Sequence, residues 1–449
     1  MKKILSALLL FTALFYFNSQ SNLFASTRAE GTVESIVEYL NEKSIPLIDE
    51  TSLDQIITGS VNKRLVLLGE STHGTSEYYL WRAKISRRLI EEQDFDFIVV
   101  EGDWPSFYQI NRYVKGYEHQ DKSSRELLRD HFNRWPQWMW ANEEMVDLIE
   151  WLKEFNSNRP EEDRIGIYGM DVYSKEESIS EVRNYLRNQG NEDYQEIASL
   201  YDCFTPYGYD GGNYARAIFS GIENCSQQVT DVVDFLLNNR DDLTAECRES
   251  FFNAKQNAYI VKNAEKHYRS AIGRGPESWN YRVFHMEDTV YRLLDHYGEG
   301  SKGIVWAHNT HIGDARATPM HRQGSYNISQ LAREKLGREA VYIVGFGCYR
   351  GRVLAGSSWE SARQTMTIPE ARDDSWEDLL REVTHNVFVI FFDDDDRSHP
   401  VLNRHIDHRA IGVVYNPRQE AGNYVPTVLP ERYDAFIFIE ETNPLNPLN

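Results

Sequence analysis

Residues 65–82 read LVLLGESTHGTSEYYLWR. Four apolar side chains stop at Gly69, and Glu70 and His73 follow before a helical pattern sets in. So short an apolar run, punctuated by glycine, fits a strand covered on both faces by helices. At 3.6 residues per turn, Tyr78, Arg82, Ile85 and Leu89 fall in one arc, and Lys84, Arg87 and Glu91 lie elsewhere. Arg82 is therefore a charge on the stripe expected to face the sheet. A guanidinium there needs a carboxylate or a developing negative charge to offset its desolvation.

The same signature recurs in FDFIVVEGD (95–103), RIGIYGMD (164–171), KGIVWAHNTH (302–311), AVYIVGFG (340–347), VFVIFF (387–392), AIGVVY (410–415) and AFIFIE (435–440). Helical patterns such as EEMVDLIEWLKEF (143–155) fill the intervals. The expected fold class is α/β, a largely parallel sheet flanked by helices, with its two halves over 33–175 and 301–441. Residues 176–300 differ. They carry amphipathic stretches such as QQVTDVVDFLLNN (227–239) and WNYRVFHMEDTVYRLLDHY (279–297) and no convincing strand, which reads as a helical insertion or cap. DDDD (393–396) reads as a solvated loop, and NPLNPLN (443–449) as a stretch that frays.

Composition bounds the function. The 449 residues are 41% hydrophobic and 26% charged, ordinary for a globular chain. The net charge of −21 argues against nucleic acid and anionic membrane as general partners. Lys2 and Lys3 precede an apolar run from Ile4 to Phe17, shorter than the roughly 20 residues of a spanning helix. With LFAS and Ala25 behind it, the segment 1–25 reads as a signal peptide. The expectation is an exported protein, periplasmic or secreted, with no stable membrane association after leader cleavage. Cys203, Cys225 and Cys247 recur every 22 residues, so one bridge between neighbouring helices and ordinary semi-buried thiols are both open readings. With Cys348 included, no cysteine spacing suits structural zinc.

In open parallel sheets, ligands bind outside the carboxyl ends of the strands. Here the apolar runs end in Glu70, Glu101, Asp171 and the pair His308 and His311, which together suggest a polar pocket on one sheet edge. Two histidines three apart suit metal ligands, with Glu70 or Glu101 completing the set. They equally suit a metal-free pocket in which one imidazole is acid or base. A metal-dependent hydrolase or phosphoesterase and a non-catalytic haem- or iron-binding protein are the competing readings. There is no GxSxG elbow and no glycine-rich phosphate loop in a strand–helix context. The segment HFNRWPQWMWANEEM (131–145) could line an apolar cleft, although tryptophans more often pack cores.

GESTHGTSEYYLWR (69–82), VVEGDWP (99–105) and AHNTHIG (307–313) make this chain resemble the erythromycin esterase family. RWPQWMWANEEM (134–145), IYGMDVYS (167–174) and WNYRVFHM (279–286) extend the resemblance over roughly 35–440, with departures at Ser71, Val283 and SYNISQLARE (325–334). The resemblance implies an α/β fold with a helical cap and hydrolysis of a carboxylic ester or lactone in a small molecule, a macrolide among the candidates. It implies no cofactor. It places the active site on Glu70, His73, Arg82, Glu101, His308 and His311. In the implied reaction His73 is the general base, oriented by Glu70 or Glu101. Arg82 with His308 or His311 stabilises the oxyanion, and one of these histidines protonates the leaving alkoxide.

Overall fold

A computed structural model describes residues 30–119, 121–190, 192–208, 210–244, 248–273 and 275–448, so the leader at 1–25 and Cys247 lie outside the described residues. The strands are β1 (Ile45–Pro46), β2 (Leu65–Leu68), β3 (Phe97–Asp103), β4 (Gly166–Asp171), β5 (Gly303–Trp306), β6 (Val341–Gly356), β7 (Arg363–Ile368), β8 (Val387–Phe391), β9 (Ile406–Arg409), β10 (Tyr424–Thr427) and β11 (Ala435–Thr442). Nine of them form one sheet in the order β1-β8-β11-β6-β2-β5-β3-β4, with β7 paired to β6, and β9 and β10 form a separate ribbon. The centre is parallel: β11 with β6, β6 with β2, β2 with β5, and β5 with β3. Antiparallel pairing occurs where β1 meets β8, β8 meets β11 and β7 meets β6, and within the β9–β10 ribbon.

The chain divides into two compact units. Among the described residues, one comprises 30–100, Gln109–Ile167 and 298–448. Its central strands are apolar on both faces, and Val66, Leu67, Leu68, Ile304, Val305, Trp306, Ile343 and Val344 are fully enclosed. Each such side chain contributes about 1.5–3 kcal/mol by leaving water, so these short strands anchor the unit. The helix Ser76–Gln93 makes the crossover from β2 to β3 and buries Tyr78, Arg82, Ile85 and Leu89, the arc expected from periodicity.

Three stretches of this unit depart from the sequence reading. AIGVVY (410–415) is not a strand. Its backbone bonds go separately to Asn423, Ser71 and Gly356, leaving only isolated bridges at Ile411 and Val414. The DDDD run is not a solvated loop. Asp393 and Asp396 form a capping box on the short helix Asp394–Ser398, and buried Asp396 accepts from the Tyr39 hydroxyl at 2.6 Å and pairs with Lys43. Residues 443–448 do not fray, because Leu445 and Leu448 are buried and their backbone is hydrogen-bonded.

The other unit takes in Glu101–Tyr108 and Tyr168–Tyr297, the last residues of β3 and β4 with a long helical run. Its main helices are Lys175–Asn188, Ser226–Asn238, Arg248–Ser270 and Glu277–Tyr297, and no strand interrupts its described residues between 176 and 300. Val182, Leu186, Phe204, Tyr214, Val232, Leu236 and Val261 share its core. A disulfide joins Cys203 to Cys225 across a Cα separation of 5.9 Å. Trp104 stacks on Tyr168 at 5.1 Å and donates its indole N–H to Asn253 Oδ1 at 2.9 Å. Among the described residues no helix is long and apolar enough to cross a membrane.

Candidate active site

Sheet register brings Glu70 and His308 together. β2 and β5 run parallel with Leu68 opposite Trp306, and each chain then reaches its polar residue two positions later. The Ala307 N–H donates to the Leu68 carbonyl at 3.3 Å and the Asn309 N–H to the Glu70 carbonyl at 2.8 Å, so the pairing continues past both strands. Both flank β2, whose neighbours β5 and β6 arrive from far later in the chain. Such a switch in strand order opens a crevice at the carboxyl end of the sheet.

Glu70 is fully buried and divides its carboxylate. Oε1 accepts from His73 Nδ1 at 2.8 Å, and Oε2 pairs with Arg82 Nη2 at 2.7 Å. Arg82 has no exposed surface, and its guanidinium lies 4.4 Å from the Tyr79 ring centroid and 4.6 Å from that of Trp306. The two ring faces and one carboxylate replace the water that the cation gave up. The His73 ring sits 4.9 Å from that of His308, centroid to centroid, tilted by 43°. His308 Nδ1 accepts the backbone N–H of Thr310 at 3.2 Å, as the N-cap of the short helix Asn309–Ile312. The Thr310 hydroxyl also lies 2.9 Å from His308 Nδ1, so each ring is held at Nδ1, one by Glu70 and the other by Thr310. His311 lies buried in the same helical turn, its N–H on the His308 carbonyl at 2.8 Å.

The loop is held from several sides. Gly69 donates to the Val344 carbonyl, Ser71 accepts from Ile411, and Gly74 accepts from Leu354. Asn309 fixes the opposite loop: its amide donates to the Phe346 carbonyl at 2.7 Å, and its own carbonyl accepts from Arg432 Nη2 at 3.0 Å. A Cβ at position 69 would collide with Asn309 Oδ1, so only glycine lets the two strand ends approach this closely. Behind Asn309, His408 hydrogen-bonds Glu377 at 2.5 Å and the Tyr433 hydroxyl at 3.1 Å. Burial holds the His408 imidazole below its usual range, against the pull of Glu377.

Glu101 belongs to the other unit, where it accepts from Arg282 Nη2 at 2.7 Å. The same guanidinium grips Asp171 through two bonds, Nε to Oδ1 at 2.9 Å and Nη2 to Oδ2 at 2.7 Å. Burial pushes the Asp171 carboxyl up, but the Arg282 charge and hydrogen bonds outweigh it and keep it below the usual carboxylate range. Burial, helped by the charges of Arg282 and Arg292, drives two histidines of this unit far down, His267 to about 4 and His285 to about 3. Arg282 was not among the site residues expected from the sequence. Its signal was a charge directly preceding Val283, which is fully buried. Asn309 was visible only as the middle of AHNTH.

The erythromycin esterase family model matches residues 90–442. The chain belongs to the erythromycin esterase family. It is an esterase-like hydrolase by that membership. The Bacillus subtilis (strain 168) protein named "Putative hydrolase YbfO" is 20% identical over 410 residues, covering 85% of this chain and 84% of that protein. A solved protein from Bacillus cereus superposes with a TM-score of 0.77 at 18% identity, over 93% of this chain and 99% of its own. A solved succinoglycan biosynthesis protein gives a TM-score of 0.74 at 20% identity, over 93% of this chain and all of its own. Erythromycin esterase EreC, solved as a mutant in its open conformation, gives 0.60 at 15% identity over 91% of this chain and 97% of its own. This family member therefore shares its whole fold with proteins of low identity.

Proposed function

We propose that the chain hydrolyses a carboxylic ester or lactone of a small molecule, a macrolide among the candidates, by direct attack of water. The observation that carries this reading is the pair of imidazoles 4.9 Å apart, His73 held at Nδ1 by Glu70 and His308 held at Nδ1 by Thr310. Water bound between them loses a proton to His73 Nε2 as its oxygen attacks the carbonyl carbon. Glu70 steadies the resulting imidazolium through Nδ1–H. The tetrahedral oxyanion takes a hydrogen bond from His308 Nε2–H. Collapse breaks the bond to the alkoxide, which takes back the proton held at His73. Arg82 has a role different from the oxyanion contact expected from the sequence. Fully enclosed, it acts through Glu70, fixing the carboxylate that fixes His73. Glu101 is proposed to serve the same reaction on the strength of the resemblance. A disulfide at Cys203–Cys225 supports export to an oxidising compartment, the destination proposed for the leader.

The test is incubation with a panel of macrolides and simpler esters, read by mass spectrometry for a gain of one water. His73→Ala should abolish the gain while its thermal transition stays near the parent's. Turnover at the parental rate in that variant would remove the base assignment. His308→Ala should lower kcat by on the order of 10²–10³, the usual effect of losing one oxyanion donor.

A further inference from the structure

The stretch NPLNPL at 443–448 is a tandem repeat, and each copy docks on a helix N-terminus in the same way. The first copy meets the helix Ser76–Gln93. The Asn443 carbonyl accepts the Ser76 N–H at 3.0 Å, and the Leu445 N–H donates to the Gly74 carbonyl at 3.0 Å. Asn443 also gives its backbone N–H and its side-chain amide, each at 2.9 Å, to the Glu77 carboxylate. The second copy meets the helix Glu143–Ser157. The Asn446 carbonyl accepts the Glu143 N–H at 2.9 Å, and the Leu448 N–H donates to the Ala141 carbonyl at 2.9 Å. The Glu144 carboxylate accepts the Asn446 N–H at 3.3 Å and its amide at 2.9 Å.

Position for position the slots coincide. In each, the first helical N–H finds a carbonyl, the second helical residue is a glutamate that captures asparagine, and the residue before the N-cap receives leucine. Bridges at Thr75–Pro444 and Asn142–Pro447 place each proline where its missing N–H costs nothing, because both ladder bonds come from its neighbours. Leu445 and Leu448 are buried as anchors, and a hydrogen bond from Ser76 Oγ to Glu144 Oε1 at 2.5 Å links the slots. First-turn N–H groups have no partner within their own helix. The repeat supplies one to each helix.

We propose that residues 443–448 are a two-slot clasp, and that its first slot positions the His73 loop for catalysis. Gly74 follows His73 directly, so the Leu445 bond acts one residue from the ring that takes the proton. The second slot fastens the same strap to a helix, and its Leu448 bond falls on Ala141 rather than on that loop. The proposal rests on His73 being the base.

Leu445→Ala and Leu448→Ala, made in the full chain, form a matched pair that removes one anchor from each slot. Leu445→Ala should speed amide exchange at Ser76 and lower kcat about tenfold with KM retained, since small misplacements of a catalytic group are costly. Leu448→Ala should speed exchange at Glu143 and leave kcat at the parental value. Equal losses of kcat in both variants would reduce the clasp to general stability and overturn the proposal. So would faster exchange at Ser76 with kcat unchanged. If Leu445→Ala does not fold, Asn443→Ala takes its place with the same criteria. His73→Ala separates the two readings: hydrolysis surviving it defeats the base assignment. In that case, or if no ester is cleaved, the clasp is judged by the His73 ring resonances. Leu445→Ala must shift them and Leu448→Ala must not.

Discussion

Glu70 serves two partners at once, the Arg82 guanidinium and the His73 imidazole, and its substitution should show both. In Glu70→Gln the amide retains one acceptor but no charge, so Arg82 stays buried against two rings without an anion. Stranding one member of a buried pair costs about 3–5 kcal/mol. A thermal transition at the parental temperature would show that Arg82 does not depend on Glu70. The same change removes the charge that steadies the His73 imidazolium, so hydrolysis should fall by on the order of 10²–10⁴, the contribution of a general base. Much of this was legible in the sequence. Gly69, Glu70 and His73 announce themselves at the end of an apolar run, and the inward stripe located Arg82. What the stripe could not say is which way a buried guanidinium points. That depended on Tyr79 and Trp306, and Trp306 lies more than two hundred positions away.

At the scale of elements, the buried central strands were the readable part. They are covered on both faces, so their side chains form continuous apolar runs and need no alternation to be recognised. β7 and the β9–β10 ribbon escaped because they carry exposed and polar residues, and AIGVVY misled because an apolar run alone cannot distinguish a strand from a threaded loop. Two helices of the other unit carry a prediction of their own. His267 on Arg248–Ser270 and His285 on Glu277–Tyr297 are held neutral in the fold, with pKa values of about 4 and about 3 against 6.5 for an ordinary histidine. As pH falls below 6.5 the unfolded chain takes up protons before the folded one. The stability due to these groups is therefore full above that value and drains away toward pH 4 and 3. The melting temperature should decline across that window, with a shallower slope in His285→Gln. Identical slopes in parent and variant would rule out His285 as a source of the acid sensitivity. Asp171 adds to the loss at the acid end, because Arg282 holds its carboxyl low against the effect of burial.

At the scale of the whole molecule, the disulfide and the clasp are long-range fastenings. Sequence could offer Cys203, Cys225 and Cys247 as candidates but not choose among them, since pairing depends on which helices become neighbours. Replacing Cys203 and Cys225 by serine should lower unfolding free energy by about 3 kcal/mol, the chain-entropy value for a loop of this length. Denaturant titration with and without reductant reads it, and an unchanged midpoint would mean that the bond contributes no stability. The clasp was illegible for a related reason: a proline-containing tripeptide repeat has no strand or helix period, and its partners Glu77 and Glu144 lie hundreds of residues upstream. The loop around His73 borrows its backbone partners from Asn309, Val344, Leu354, Ile411 and Leu445, all made later than the loop itself. During synthesis, then, the reactive segment emerges early and waits. A nascent chain released short of position 309 carries His73 and its carboxylate without the opposing imidazole loop, and the remaining fastenings follow between positions 344 and 445. Competence for hydrolysis is thus acquired only after all five of these later segments have followed the loop out of the ribosome.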